Sequence, residues 1–240
     1  MAASKKPRMK KKDNQLNTCC VAFGSNIISR YGNPLQTVCH AMKEIQTSQF
    51  KLTSMSSLYE TVAYPKSSGP NFINGCALFK TDWDASEALS HLQEIENRIG
   101  RKRNKRWEPR AIDLDLIFFE DLVYPSKEVV KNWMMLTREQ QLKEWPTDMI
   151  LPHPRVQDRA FVLIPIQEID LKWRHPILKK TAKEMLENIT PSFLKEIKKI
   201  LTTNLSPLHI SQNKLRELFS LLSMCIGAIY GPSNSRRLCR

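Results

Sequence analysis

The sequence predicts an α+β domain in which helices cover an antiparallel sheet, and three observations carry that reading. Short apolar runs of strand length alternate with longer segments whose apolar residues recur at helical spacing. Cap and turn residues punctuate the boundaries between them. Hydrophobic residues make up 41% of the chain, enough for a core and too many for wholesale disorder.

The elements follow in order. Residues 18–23 form a short apolar run ended by Gly24-Ser25-Asn26, a buried strand entering a turn. Asn33-Pro34 reads as an N-cap and first helical residue. Leu35, Val38, Met42 and Ile45 then give one apolar helix face. Residues 50–59 alternate and read as a single strand, and residues 61–70 hold two prolines, one glycine and two serines and read as a loop. A strand is expected over 72–81. Asp84 with Glu87 makes a capping-box pattern ahead of Ala85, Ala88, Leu92, Ile95 and Ile99, and Gly100 suits the helix stop. A basic loop leads into a strand over 112–119. Strand, helix, strand, strand, helix, strand is the order of a ferredoxin-like sandwich with its helices on one face. Residues 129–145 read as an amphipathic helical insertion, Pro152-His153-Pro154 as rigid and extended, and 159–169 as a return to apolar packing. Beyond Ile177 the pattern is one of short basic amphipathic helices.

The net charge of +13 suggests nucleic acid until it is located. The excess sits in residues 1–13 and 171–240, and the stretch between is close to neutral. Chemistry in the middle must therefore come from local clusters. The six cysteines form no C-x-x-C pair and have no histidine at zinc-finger spacing, which disfavours a disulfide framework or zinc site. Cys20 and Cys76 fall inside strand-like runs as small hydrophobes. The basic start has no apolar segment behind it, so a secretory signal is not expected, and the apolar run over 218–230 is too short for a membrane span. The expectation is a soluble, cytoplasmic protein.

Residues 100–119, GRKRNKRWEPRAIDLDLIFF, carry the chemistry. On a strand Asp113 and Asp115 share one face, about 7 Å apart. Two carboxylates there are costly without a partner, and magnesium accepts one or two carboxylates while filling its shell with water and phosphate oxygens. A solvated strand face is the bland alternative. Arg101, Lys102, Arg103, Lys105, Arg106 and Arg110 precede the pair, interrupted by Trp107 and Pro109. Cations and a metal would then face the same polyphosphate.

The string Arg106-Trp107-x-Pro109-Arg110-x-Ile112-Asp113-Leu114-Asp115 resembles the signature of the 6-hydroxymethyl-7,8-dihydropterin pyrophosphokinases. Gly24-Ser25-Asn26, Ser57-x-Tyr59-x-Thr61, Phe72-Ile73-Asn74, Gln93-x-x-Glu96-x-x-x-Gly100-Arg101, Pro152-His153-Pro154 and Arg159-Ala160-Phe161 follow in that family's order. The resemblance covers roughly residues 18–170. It implies transfer of a diphosphate from ATP to 6-hydroxymethyl-7,8-dihydropterin with release of AMP, in folate biosynthesis. It implies that Asp113 and Asp115 hold two magnesium ions, and that Arg101 and Arg110 complete the catalytic set at the phosphates. Gln93, Glu96, Arg103, Trp107, His153 and Arg159 would bind ATP. Thr61, Phe72, Asn74 and Phe161 would form the pterin pocket. Without the resemblance, His153 reads as a turn residue, Phe72 and Phe161 as core, and Asn74 and Thr61 as loop or turn polar groups. The chain departs from the family pattern in having Phe72 for a tyrosine, Val62-Ala63-Tyr64 for paired prolines, and Asp148 at the counterpart of an arginine.

The expected organisation is a basic disordered tail over 1–17, a pyrophosphokinase domain over 18–176 with an insertion at about 125–148, and a basic helical extension over 177–240. The expected partners are ATP and the hydroxymethyl-dihydropterin, without membrane or nucleic acid. Functional coupling to dihydropteroate synthase, to which the family's enzymes are fused in some organisms, is a further expectation. Two rivals stand beside this reading: a ferredoxin-like RNA-binding protein, and a pyrophosphokinase domain reduced to an interaction module. The first lacks an RRM-like aromatic string, and intact Arg101, Arg110, Asp113 and Asp115 weigh against the second.

Overall fold

The computed structural model describes residues 16–63, 68–100 and 109–201. The order is β1 (Asn17–Ser25), α1 (Pro34–Ile45), β2 (Phe50–Met55), β3 (Leu58–Thr61), β4 (Phe72–Thr81), α2 (Ala85–Ile99), β5 (Asp113–Phe119), α3 (Lys127–Met134), α4 (Arg138–Lys143), a 3-10 turn (Val156–Asp158), α5 (Ala160–Ile169), α6 (Ala182–Leu186), α7 (Pro191–Lys195) and β6 (Ile197–Leu201). The sheet is antiparallel in the order β5-β1-β4-β3-β6, with β2 also paired to β4. The predicted antiparallel α+β architecture is thus present.

Local signals set the boundaries. The Asn33 side chain accepts from Gln36 N at 3.0 Å while Gln36 Oε1 accepts from Asn33 N at 2.9 Å, closing a capping box on α1. Asp84 and Glu87 close the same box on α2. Gly100 ends α2 at φ +114°, a left-handed conformation that glycine adopts without a Cβ penalty. The strand expected over 50–59 is two strands. Ser56 interrupts it: its N–H donates to Cys76 O at 2.9 Å and its Oγ accepts from Cys76 N at 3.0 Å.

Helices cover both faces of the sheet, where one was expected. Val21, Phe23, Ala77, Phe79, Leu114 and Leu116 pack in the layer under α1 and α2. Cys20, Cys76, Leu78, Ile117 and Phe118 pack on the other side with Val162, Leu163 and Ile166 of α5. Trp173, Ala182 and Met185 belong to this second core, and Trp173 stacks on Phe118 with centroids 4.6 Å apart. The apolar layer therefore continues past residue 176. Residues 197–201, expected to be helical, form β6 on the edge of β3, with Ile197 opposite Thr61. Asn17, assigned from sequence to the tail, opens β1 and donates to Trp83 O at 2.9 Å. Among the described residues no helix is long and apolar enough to cross a membrane.

Candidate active site

Between the sheet and α5 lies a cleft of about 790 Å³. Strand alternation fills its floor. Asp113 and Asp115 face it from β5, opposite Gly24 and Ala22 of β1, while Leu114 between them points into the α1–α2 core. Gly24 is needed there: a Cβ at that position would lie 2.3 Å from Asn74 Oδ1. Thr61, Phe72 and Asn74 line the cleft from β3 and β4, and Asn74 Nδ2 donates to Thr61 Oγ1 at 2.6 Å. Arg159 and Phe161 reach it from the start of α5, with the guanidinium carbon 5.7 Å from the Phe161 ring centroid.

Guanidinium groups sit on both aspartates. Arg110 Nη1 donates to Asp113 Oδ1 at 3.0 Å, and Arg159 Nη1 donates to Asp115 Oδ2 at 3.2 Å. His153 is held beside them. Its N–H donates to Ile117 O at 2.7 Å, and its Nε2 is 4.0 Å from Asp115 Oδ2. Burial, then the Arg159 and Arg155 charges, pushes the imidazole well below its ordinary pKa, so it is neutral near pH 7. Because Nδ1 accepts from Arg155 N at 3.2 Å, the proton is assigned to Nε2, on the Asp115 side. A second cavity of about 220 Å³ opens alongside, lined by Leu89, Leu116, Trp145, Ile150 and Leu151 with Asp115, His153, Arg155 and Arg159.

The structure thus gathers eight of the sequence-predicted residues in one cleft: Thr61, Phe72, Asn74, Arg110, Asp113, Asp115, Arg159 and Phe161. His153 stands in the adjoining cavity. It does not bring in the other two described ones. Gln93 is exposed on α2, and Glu96 is buried, its Oε1 accepting from Leu114 N at 2.7 Å. Arg101, Arg103 and Trp107 lie outside the described residues. Asp148 is exposed and lines neither cavity.

Sequence reasoning missed three contributors. The sequence marks Asn26 only as a turn residue, yet its Oδ1 accepts from Arg110 N at 2.8 Å and its Nδ2 donates to Pro70 O at 3.0 Å, so it ties two rims of the cleft together. Arg155 is 7% exposed and lines both cavities, and its guanidinium donates to Gln141 O at 3.3 Å and Glu144 O at 3.2 Å. Its position next to Pro152-His153-Pro154 was the available signal. Segment 188–197 forms part of the cleft wall, and no sequence motif marks it.

The open sheet face that an RRM-type RNA reader needs is covered here by α5 and α6. Comparison with known proteins is consistent with the geometry. A model of the 7,8-dihydro-6-hydroxymethylpterin-pyrophosphokinase family matches residues 20–171. The chain is 31% identical over 176 residues to the 2-amino-4-hydroxy-6-hydroxymethyldihydropteridine pyrophosphokinase of Synechocystis sp., covering 73% of this chain and 77% of that one. It is 34% identical over 153 residues to the Bacillus subtilis protein of the same name, covering 64% and 78%. Among solved structures, Plasmodium falciparum HPPK-DHPS with pterin and p-hydroxybenzoate aligns at a TM-score of 0.56 and 14% identity, over 82% of this chain and 49% of that one. The chain therefore spans about half the length of that structure, and the likeness is one of fold. The chain belongs to the 7,8-dihydro-6-hydroxymethylpterin-pyrophosphokinase family, the diphosphokinase transferases of folate biosynthesis.

Proposed function

We propose that this chain transfers the β,γ-diphosphate of ATP to the hydroxymethyl group of 6-hydroxymethyl-7,8-dihydropterin and releases AMP. The observation that carries the reading is the cleft itself, where Asp113 and Asp115 stand beside Arg110, Arg155 and Arg159 at one end, with His153 in the adjoining cavity, and Asn74, Thr61 and the rings of Phe72 and Phe161 line it farther along.

Asp113 and Asp115 would hold the metal. Among the described residues no group of three or more His, Cys, Asp or Glu is close enough to bind an ion. That donor set suits magnesium, which takes one or two carboxylates and completes its octahedron with phosphate oxygens and water. When bound, two magnesium ions would neutralise the polyphosphate and polarise its phosphorus–oxygen bonds. The protein's own groups do the rest. Arg110 and Arg159, paired here with the aspartates, would bind phosphate oxygens that displace those contacts. His153 offers an Nε2–H that can donate to a phosphate oxygen without adding charge. Leu89, Leu116, Ile150 and Leu151 give the smaller cavity an apolar lining suited to the nucleotide base, and Trp145 adds a ring at its rim.

Asn74 and Thr61 orient the acceptor's polar edge while Phe72 and Phe161 flank its ring. The acceptor hydroxyl oxygen bonds to the β-phosphorus, and the bond from that phosphorus to the α,β-bridging oxygen breaks. AMP leaves with that oxygen, and the hydroxyl proton goes to solvent. Positioning and charge neutralisation supply most of the catalysis such a transfer needs. Coupling to dihydropteroate synthase is a related proposal, motivated by the HPPK-DHPS architecture of the Plasmodium structure.

The test is AMP formation from ATP in the presence of 6-hydroxymethyl-7,8-dihydropterin, with and without magnesium, for the wild type and Asp115→Ala. Expected are equal amounts of AMP and pterin diphosphate, no ADP, and loss of turnover when either the metal or the carboxylate is removed. Folded wild-type protein that makes no pterin-dependent AMP would defeat the reading.

A further inference from the structure

The family match ends at residue 171, but the cleft does not. Asn188, Ile189, Thr190, Phe193, Glu196 and Ile197 also line it. Their position follows from the strand order. Across the sheet, the cleft floor is supplied by Asp113 and Asp115 on β5, Gly24 on β1, Asn74 on β4, Thr61 on β3 and Ile197 on β6. Thr61 and Ile197 are directly paired, so their side chains share a face. With strands about 4.8 Å apart, β5 and β6 stand roughly 19 Å from each other. A diphosphate gripped at the carboxylates therefore leaves the acceptor ring over β4 and β3. The next surface that ring can meet is segment 188–197.

We propose that this segment is the acceptor-side wall of the site and sets its affinity and selectivity. Phe193 and Ile197 pack on the edge of the bicyclic ring whose faces Phe72 and Phe161 flank, and Glu196 accepts hydrogen bonds from the N–H and 2-amino groups of the polar edge that Asn74 and Thr61 also contact. The proposal rests on the pterin reading above. The chemistry is complementary: the acceptor presents two adjacent N–H donors, and a carboxylate offers two oxygens with about four acceptor positions. Phe193, Glu196 and Ile197 are half-buried, as a wall facing a cleft requires. The segment is also fixed at both ends. Asn188 Nδ2 donates to Glu184 O at 2.9 Å, and Ile189 packs against the second core. At the other end β6 is paired to β3, and Glu168 of α5 binds Lys199 of β6 while accepting from Tyr59 Oη at 2.6 Å and Ser57 N at 2.7 Å. Burial pushes the Glu168 carboxyl up, but these donors outweigh it and hold the group below its ordinary pKa.

The test uses the full chain carrying Glu196→Gln or Phe193→Ala. KM for the acceptor and for ATP are measured separately. Acceptor binding is read independently by pterin fluorescence with a non-hydrolysable ATP analogue. Expected are acceptor KM and Kd raised about tenfold or more in each variant, the size of a lost charged hydrogen bond for Glu196→Gln and of a lost buried ring for Phe193→Ala, with KM for ATP unchanged. An acceptor lacking the 2-amino group should lose affinity for the wild type and little more for Glu196→Gln. Wild-type acceptor constants in both variants would overturn the proposal. So would equal increases in both KM values together with a lowered Tm, the mark of a merely structural segment. If the wild type binds acceptor but forms no AMP, the transfer reading fails while the binding arm still decides the wall.

Discussion

Under α1 and α2 the sheet is buried from end to end, with Phe23, Phe79, Leu114 and Leu116 turned into a continuous core. Under α5 the same strands are buried over only part of their length. Cys76, Leu78 and Ile117 pack against α5, and farther along the strands Asn74, Asp113 and Asp115 face open cleft. One face is spent on stability, and the other is divided between stability and chemistry. Because side chains alternate, adjacent residues of one strand belong to different tasks.

The sharpest way to break this comparison is to change neighbours on β5. Asp115→Ala is expected to lower kcat by about 10³-fold, the scale of losing a preorganised electrostatic contact at the reacting phosphate. Its partly exposed pair with Arg159 adds little to stability, so Tm should hardly move. Leu114→Ala should do the reverse, destabilising the fold by about 2–5 kcal/mol through a core cavity. Thermal unfolding and turnover measured on both variants decide the matter. If both lose stability alike, the division of faces is wrong.

A second difference concerns pH. His175 is fully buried on the α5–α6 side, where its Nδ1 accepts from Ile177 N and Leu178 N at 3.2 Å each. Burial holds its pKa down from 6.5 to about 4. Protons therefore prefer the unfolded chain, whose imidazole titrates near the ordinary value. This contribution to stability is complete above pH 6.5 and is lost as pH falls from there toward about 4. The loss should reach about 3 kcal/mol. Urea unfolding at a series of pH values should show that slope, and His175→Asn should flatten it. An unchanged slope in the variant would assign the acid sensitivity to other groups.

How much of this was legible depended on the range of the interaction. The capping boxes of α1 and α2, the Gly100 stop and the shared face of Asp113 and Asp115 are local, and period and cap chemistry reveal them. The second helical layer was not legible. Residues 160–169 are apolar on nearly every side, so no stripe points to a partner. In β6, Ile197, Ile200 and Leu201 fit helical spacing as well as a strand, and pairing with β3 decides between them. Arg155 and Asn26 act through backbone carbonyls and amides distant in sequence, which no motif encodes.

Glu96 offers the smallest expected effect and the finest discrimination. Resemblance assigned it to ATP, yet its side chain is 2% exposed on the α1–α2 side of the sheet. Its Oε1 accepts from the backbone N–H of Leu114, the residue between the two aspartates. A carboxylate buried there is tolerable only because it is hydrogen-bonded, and that bond fixes the height of β5 against α2. It can thus hold the aspartate pair in position without touching nucleotide. Glu96→Gln keeps an acceptor oxygen and removes the charge. The expected cost is about 1–2 kcal/mol of stability, with a several-fold fall in kcat and KM for ATP within twofold of wild type. A tenfold rise in KM for ATP at unchanged Tm would instead put Glu96 on the nucleotide. The positioning role would then fall to the hydrophobic contacts of Leu114 alone.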